Sequence, residues 1–460
     1  MAKLENEQLS ILKNILGEKG LITDFYDVVC YAFDASGLEG APLAVALPEN
    51  KDQISRLLKN CNKWKLPVIP RGAASGTTGG AVPLNSAIIL SLTRMNKILD
   101  INQAELTAIV EPGVITGVLQ KEVEKYGLFY PPDPASLNFC TIGGNVSTCA
   151  GGARAVKYGV TKDYVRSLEV ILSDGSIIET GAKTAKGVVG YDLTKLFVGS
   201  EGTLGIITKI TLSLIPLPDT VKTICAGFSC VKHAVDAVSC LFTSGILPRC
   251  AEFIDEKTLF LIKDEFPFKI TQQTKSLLII ESDGFLPQVE EEIRKIRKCA
   301  KRYKATLLFE ANDDSERQQI WQARRGISPS LKRLGFNKKI SEDICVPRGE
   351  IGNFLDFLAS FSIEEQIEIY SFGHIGDGNI HVNLLFNNGS EKSLEWVNKI
   401  IAAIMKKVVD LGGTISGEHG VGLTKRPFIE MELDKRTISL HKEIKRVFDP
   451  NNILNPGKIF

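Results

Sequence analysis

Charge of either sign is not in excess in this chain: 55 Lys and Arg stand against 54 Asp and Glu. So even a balance leaves no bulk attraction for nucleic acid or an anionic membrane, which excludes nucleic acid as an expected partner and makes any anion site local. Long apolar runs are missing as well. No stretch approaches the ~18 residues of a membrane span, and Met1 to Glu7 lacks the basic opening and apolar core of a secretory signal. The expected location is therefore cytoplasmic, with any membrane association peripheral and made through a partner. None of the ten cysteines forms a C-x-x-C pair; this speaks for buried, reduced thiols rather than a disulfide framework or zinc cluster. Cys225, Cys230, Cys240 and Cys250 lie near one another but at no zinc-ligand spacing. Internal repeats are absent, as are G-x-G-x-x-G and G-x-x-x-x-G-K-[ST], so neither the usual dinucleotide fingerprint nor a P-loop is present.

What the chain does have is length and glycine. At 460 residues with 44% hydrophobic composition it exceeds a single core, and two domains are expected. Residues 4–17 and 51–65 carry apolar side chains at helical spacing, and Pro67 to Pro70 breaks into a strand. From Arg71 to Gly205 short β-type runs such as Ala87–Leu90 and Leu168–Leu172 alternate with glycine-rich turns. Pro216 and Pro218 interrupt this pattern, after which strands and charged helices such as Glu290–Tyr303 alternate to about residue 410. The pattern predicts domains over 1–218 and 219–412; 413–460 is too turn-rich for an idle tail and is expected to return to the first domain and the active site.

Small-residue loops occur at Arg71–Gly80, Thr141–Gly152 and Gly199–Ile207. Such loops admit close backbone approach to a phosphate, and several in one domain suit an elongated cofactor better than isolated tight turns. Together with Pro131-Pro132-Asp133-Pro134, the runs Thr141-Ile142-Gly143-Gly144-Asn145 and Gly199-Ser200-Glu201-Gly202-Thr203-Leu204-Gly205 resemble the FAD-linked oxidase family of vanillyl-alcohol oxidase type. The branch most resembled contains D-lactate dehydrogenase, the glycolate oxidase flavoprotein subunit and D-2-hydroxyglutarate dehydrogenase. The resemblance implies an α+β fold: a two-part FAD-binding domain plus an α+β cap domain with an antiparallel sheet. It further implies FAD contacts from Arg71, Gly72, Ala73, Ala74, Ser75, Gly76 and Thr77 in the first loop. Pro132, Asp133, Thr141, Gly143, Gly144, Asn145, Ser147, Thr148, Ala150 and Gly151 would supply the second set, and Glu201, Gly202, Gly205, Ile206, Ile207 and Asn455 the rest. No histidine precedes His233 and no cysteine lies in the first loop, so the flavin is expected to be non-covalent.

Three of only five histidines sit in two glycine-flanked motifs, Gly373-His374-Ile375-Gly376-Asp377-Gly378-Asn379-Ile380-His381 and Gly417-Glu418-His419-Gly420. On one uninterrupted strand His374 and His381 would face opposite sides, but Gly376 and Gly378 permit a bend that lets both reach one divalent ion, with Glu418 as an oxygen ligand. The bland alternative is a tight turn with hydrogen-bonded histidines. Glu418 and His419 are neighbours that project differently, so one can bind metal while the other stays available. In the family resembled, the equivalent motifs supply the metal ligands, here His374, His381 and Glu418, and the base, here His419. Such a set suits oxidation of a 2-hydroxy acid: a zinc, manganese or iron ion stabilises the developing alkoxide and an ordinary imidazole takes the proton.

The resemblance also assigns the substrate carboxylate to Arg324, against a plain reading of Arg324 and Arg325 as an exposed basic helix edge, and adds Ser328, Lys339 and Asn383. Ser328 stands where the hydroxyglutarate-type enzymes have threonine, and Lys339 is displaced in register, which shifts the expectation toward D-lactate or glycolate with D-2-hydroxyglutarate as the alternative. A catalytically silent flavin electron-transfer subunit and a metal-dependent hydrolase are the rival classes. With no cluster-binding cysteine pattern, the electron acceptor is expected to be a partner: an electron-transferring flavoprotein, an iron–sulfur subunit or a quinone-linked chain. A homodimer is a further expectation.

Overall fold

The computed structural model describes residues 4–84, 86–387 and 394–460; residues 1–3 of the N-terminal stretch read above lie outside the described residues. The chain divides into two units, each with its own core. The first comprises Met1–Gly151, Val160–Leu217 and Glu418–Phe460, and the second Gly152–Gly159 and Pro218–Gly417.

In the first unit, β1 (Leu21–Ile22), β2 (Pro42–Ala46), β3 (Val68–Arg71) and β4 (Ala87–Ser91) form a sheet in the order β1-β2-β4-β3. Both β2 and β3 run parallel to β4. Every residue of β4 is buried, the continuous apolar run expected of a strand covered on both faces. The connection from β2 to β3 is the helix Lys51–Trp64, capped by the Asn50 side chain on the Gln53 N–H. Its Ile54, Leu57, Leu58 and Cys61 are fully buried at i, i+3, i+4 and i+7. A second, antiparallel sheet holds β5 (Ile98–Asn102), β6 (Thr107–Val110), β8 (Val165–Ile171), β9 (Ile177–Gly181) and β10 (Ile206–Ser213) in the order β5-β6-β10-β8-β9, while β7 (Leu128–Phe129) pairs with β11 (Ile215–Pro216). The chain end closes this unit. Val68 N–H donates to Ile453 O at 2.7 Å and Asn455 N–H to Val68 O at 2.9 Å, so Ile453 and Leu454 enter the core fully buried.

The second unit is built on one antiparallel sheet. Its strands are β12 (Thr220–Phe228), β13 (Cys250–Asp255), β14 (Ser276–Gly284), β15 (Leu307–Glu310), β16 (Lys338–Cys345), β17 (Glu368–His374) and β18 (Asn379–Phe386), in the order β15-β12-β14-β13-β17-β18-β16. Alternation puts Cys225, Ile254, Leu277, Ile279, Phe372 and Leu385 in one core with Ile320, Ala323, Ile327 and Leu331 of the helix Asp314–Lys332. The short piece 152–159 is tied to this unit through Asp283: Lys157 Nζ donates to Asp283 Oδ1 at 2.5 Å and Tyr158 Oη to Oδ2 at 2.8 Å.

The architecture is the expected α+β one, with an antiparallel sheet in the second unit. One cysteine expectation is corrected. Cys240, on the helix Val231–Thr243, and Cys299, on the helix Leu286–Arg302, are joined in a disulfide with Cα atoms 5.8 Å apart. Packing of two helices brings together residues 59 apart in sequence, which local spacing rules do not register. Among the described residues no helix is long and apolar enough to cross a membrane.

Candidate active site

The three glycine loops of the first unit meet. A Cβ on Gly72 would collide with Thr141 Oγ1, and one on Gly202 with the Pro70 ring. Glu201 N–H donates to Ser147 O at 2.8 Å and Gly143 N–H to Pro112 O at 2.8 Å. Close backbone packing is thus the reason for the small residues, and side chains there would fill the cradle. Thr141 caps the helix Ile142–Thr148 by accepting from Gly144 N–H, and buried Asn145 donates to Thr116 Oγ1 at 2.7 Å. Pro132 O accepts from Gln120 at 2.8 Å, while Asp133, Ser147 and Thr148 are half-buried and Ala150 is buried. Buried Gly205 directly precedes β10, which Ile206 and Ile207 open in the core. The first loop itself continues β3: Ala74 takes a left-handed backbone at φ 52, Gly76 O accepts from Ala35 N–H, and Ala73 is exposed beside half-buried Ser75. Asn455 Nδ2 donates to Gly80 O at 3.0 Å and Glu201 O at 2.7 Å, yet its Oδ1 is buried with no hydrogen-bond partner. A buried acceptor of this kind calls for a donor from a bound group.

Arg71, at the end of β3, makes contacts within the protein. Its guanidinium donates to Phe33 O at 2.6 Å and lies over the Tyr31 ring. Glu201 is likewise turned toward protein: its carboxyl accepts from Val421 N–H at 2.7 Å and Gly422 N–H at 2.9 Å, fastening the turn that follows His419. Burial pushes that carboxyl up to about 7 against those bonds and against Lys458 and Lys425. His419 Nδ1 lies 3.0 Å from Thr77 Oγ1, and Glu418 packs on Gly151, where a Cβ would meet its carboxylate.

In the second unit, β17 ends at His374 and β18 begins at Asn379, joined by Ile375-Gly376-Asp377-Gly378. Asp377 and Gly378 N–H both donate to His374 O at 3.2 Å, and Gly378 takes φ +89. In this hairpin His374 faces Asn379, so His381 lies two residues on, diagonally across the same face. The rings come to 5.2 Å between centroids, each side chain 10% exposed.

The same face carries more. Asp343 lies opposite His381 and Ser341 opposite Asn383. Asp343 Oδ1 accepts from Asn379 Nδ2 at 2.6 Å and Oδ2 from Gly417 N–H at 3.0 Å. Asn383 is fully buried, accepting from Ser341 Oγ at 2.8 Å. From the covering helix, Arg324 points inward over Phe372, 4.6 Å from its ring centroid, whereas Arg325 is exposed. Ser328, one turn later, accepts from Lys339 Nζ at 2.7 Å. Burial, with a lesser contribution from Lys332, brings the Lys339 ammonium down to about 8.

Two residues escaped the sequence reading. Glu252, fully buried on β13, receives His374 Nδ1 on Oε1 at 2.5 Å and Arg324 on Oε2, from Nε at 2.8 Å and Nη2 at 2.5 Å. Burial acts to raise its carboxyl, but the His374 and Arg324 charges together outweigh that and the net shift is downward. Asp343 is the other. Neither belongs to a glycine motif; only alternation along β13 and β16 could have pointed to them.

Residues 42–181 match the FAD binding domain family, and residues 217–459 match FAD linked oxidases, C-terminal domain. The chain is 43% identical over 431 residues to glycolate oxidase subunit GlcD of Bacillus subtilis (strain 168), covering 94% of this chain and 92% of that protein. It is 34% identical to D-lactate dehydrogenase of Anaerostipes hadrus, across 99% of this chain and 98% of that one. Among solved structures, p-cresol methylhydroxylase with substrate bound matches at a TM-score of 0.82 and 17% identity, covering 99% of this chain and 96% of that one, a likeness of fold alone.

Proposed function

Since the chain belongs to the FAD-linked oxidases, we propose that it is an FAD-dependent dehydrogenase of a small D-2-hydroxy acid, D-lactate or glycolate, giving the 2-oxo acid. The observation that carries this reading is the placing of His374, His381 and the inward Arg324 on one face of one sheet: two imidazoles for a cation beside a fork for a carboxylate. The relatives named above as glycolate oxidase subunit and D-lactate dehydrogenase support it.

FAD would lie without covalent attachment on the three converging loops, where missing Cβ atoms and the unsatisfied Asn455 Oδ1 fit a bound dinucleotide. His374, His381 and Glu418 would hold a divalent ion whose mixed N and O donors suit zinc, manganese or iron. Chain continuity favours the third ligand: Glu418 directly follows Gly417, whose N–H is held by Asp343 next to His381. When bound, the flavin supplies a hydride acceptor and the ion a Lewis acid for the hydroxyl oxygen.

The chain's own residues do the rest. Arg324 clamps the substrate carboxylate with its planar fork, kept in plane by Phe372. In the tautomer that donates Nδ1–H to Thr77 Oγ1, His419 would carry its lone pair at Nε2 and take the hydroxyl proton there. Ser328 and Lys339 bond to each other, which a monocarboxylate leaves undisturbed. The second reading, D-2-hydroxyglutarate, rests on Lys339 itself, a half-buried cation on β16 bonded to Ser328, which stands one turn from Arg324; a distal carboxylate would neutralise it. Electrons then pass to a partner: an electron-transferring flavoprotein, an iron–sulfur subunit or a quinone-linked chain.

The test is anaerobic bleaching of the purified flavoprotein by D-lactate, L-lactate, glycolate and D-2-hydroxyglutarate, with and without chelator. D-Lactate or glycolate should bleach the flavin fastest and chelator should slow it by orders of magnitude. Bleaching by none of them sinks the dehydrogenase; bleaching indifferent to chelator sinks the metal.

A further inference from the structure

Glu252 touches two groups to which the proposed function gives separate tasks, the metal ligand His374 and the carboxylate clamp Arg324. A buried carboxylate that served only to neutralise an arginine would set both oxygens against the guanidinium in a fork. Here Arg324 Nε and Nη2 converge on Oε2 alone, and Oε1 lies 2.5 Å from His374 Nδ1. Sheet register makes the arrangement: Phe253 stands opposite Gly373 and Ile254 opposite Phe372, which carries Glu252 alongside His374. With no exposure to water, neither oxygen has a solvent partner to fall back on.

Consequences follow for both partners. An imidazole that gives its Nδ1–H to a carboxylate presents Nε2 to a metal, with ring orientation and basicity set by that bond. A guanidinium held along its Nε edge keeps Nη1 for another acceptor. Resting on the functional reading above, we propose that Glu252 is the positioning residue that couples the metal hold to the substrate clamp, one oxygen for each. A carboxamide of the same shape cannot do both: its oxygen accepts from one partner while its NH2 confronts an N–H of the other.

The experiment uses metal-stripped holoenzyme carrying its flavin. Free Mn2+ is titrated by electron paramagnetic resonance, and oxalate binding to the metal-free protein is followed by perturbation of the flavin spectrum. Glu252→Gln should weaken Mn2+ about ten- to a hundredfold and oxalate on the order of tenfold. His374→Ala should weaken Mn2+ alone and Arg324→Lys oxalate alone. Loss of only one affinity in Glu252→Gln, or of neither, overturns the coupling. Undiminished Mn2+ binding in His374→Ala overturns instead the metal reading on which it rests. Should Glu252→Gln not fold, Glu252→Asp keeps the charge but is too short to span both partners; the same joint loss is expected, and wild-type values for either probe overturn the proposal.

Discussion

Glu201 shows at the scale of one residue how burial can outweigh hydrogen bonds. Two backbone N–H groups reach its carboxyl, yet burial pushes it up to about 7. A carboxyl raised above its unfolded value contributes stability that is fully present below about 4.5 and is lost as pH rises through about 7. The wild type should therefore lose stability between pH 5 and pH 8, by at most about 3 kcal/mol. Glu201→Gln should flatten that decline in urea melts, and an unchanged slope would refute the assignment. Neighbouring arginines give a second comparison. Arg324→Lys keeps charge but not the fork, and should raise KM for D-lactate on the order of tenfold. Arg325→Ala, on the exposed side, should stay within about twofold by the rule for surface changes. Steady-state kinetics reads both. The glycine-flanked histidines were legible because their motif is contiguous. Glu252 was not, being 122 residues from His374 and 72 from Arg324, in a strand with no motif of its own.

At the scale of elements, the hairpin between β17 and β18 sets the distance between the imidazoles. Gly378 has φ +89, and a Cβ there would strike Val346 O. Gly378→Ala should thus cost about 3 kcal/mol, seen as a lowered thermal midpoint; a change under about 0.5 kcal/mol would mean the turn relaxes freely. The bend itself was legible from Gly376 and Gly378. The strand order was not, because β13 takes its place beside β17 through pairing across more than a hundred residues, which no local pattern carries. The helix pair joined by Cys240 and Cys299 was hidden for the same reason. Maleimide labelling of denatured protein should count eight thiols without reductant and ten with it; ten in both would show the pair reduced.

Across the whole molecule, the chain end is structural. Ile453, Leu454 and Asn455 bind the backbone of β3 and the third glycine loop. Truncation after Asp449 should therefore yield protein that is insoluble or purifies without its yellow colour, as absorbance against protein concentration would show; full flavin content would contradict this. The prolines near residue 217 stand where the chain passes between units, whereas nothing local marks residues 152–159, whose place depends on Asp283 far along the chain. The first unit, built from three separate stretches with Glu418–Phe460 the last, has a consequence for synthesis. Domains ordinarily fold in the order in which the ribosome delivers them. Here the order is inverted: every residue of the second unit has been translated before the first can close, so the nascent amino-terminal half must wait, incomplete, until Glu418–Phe460 has emerged.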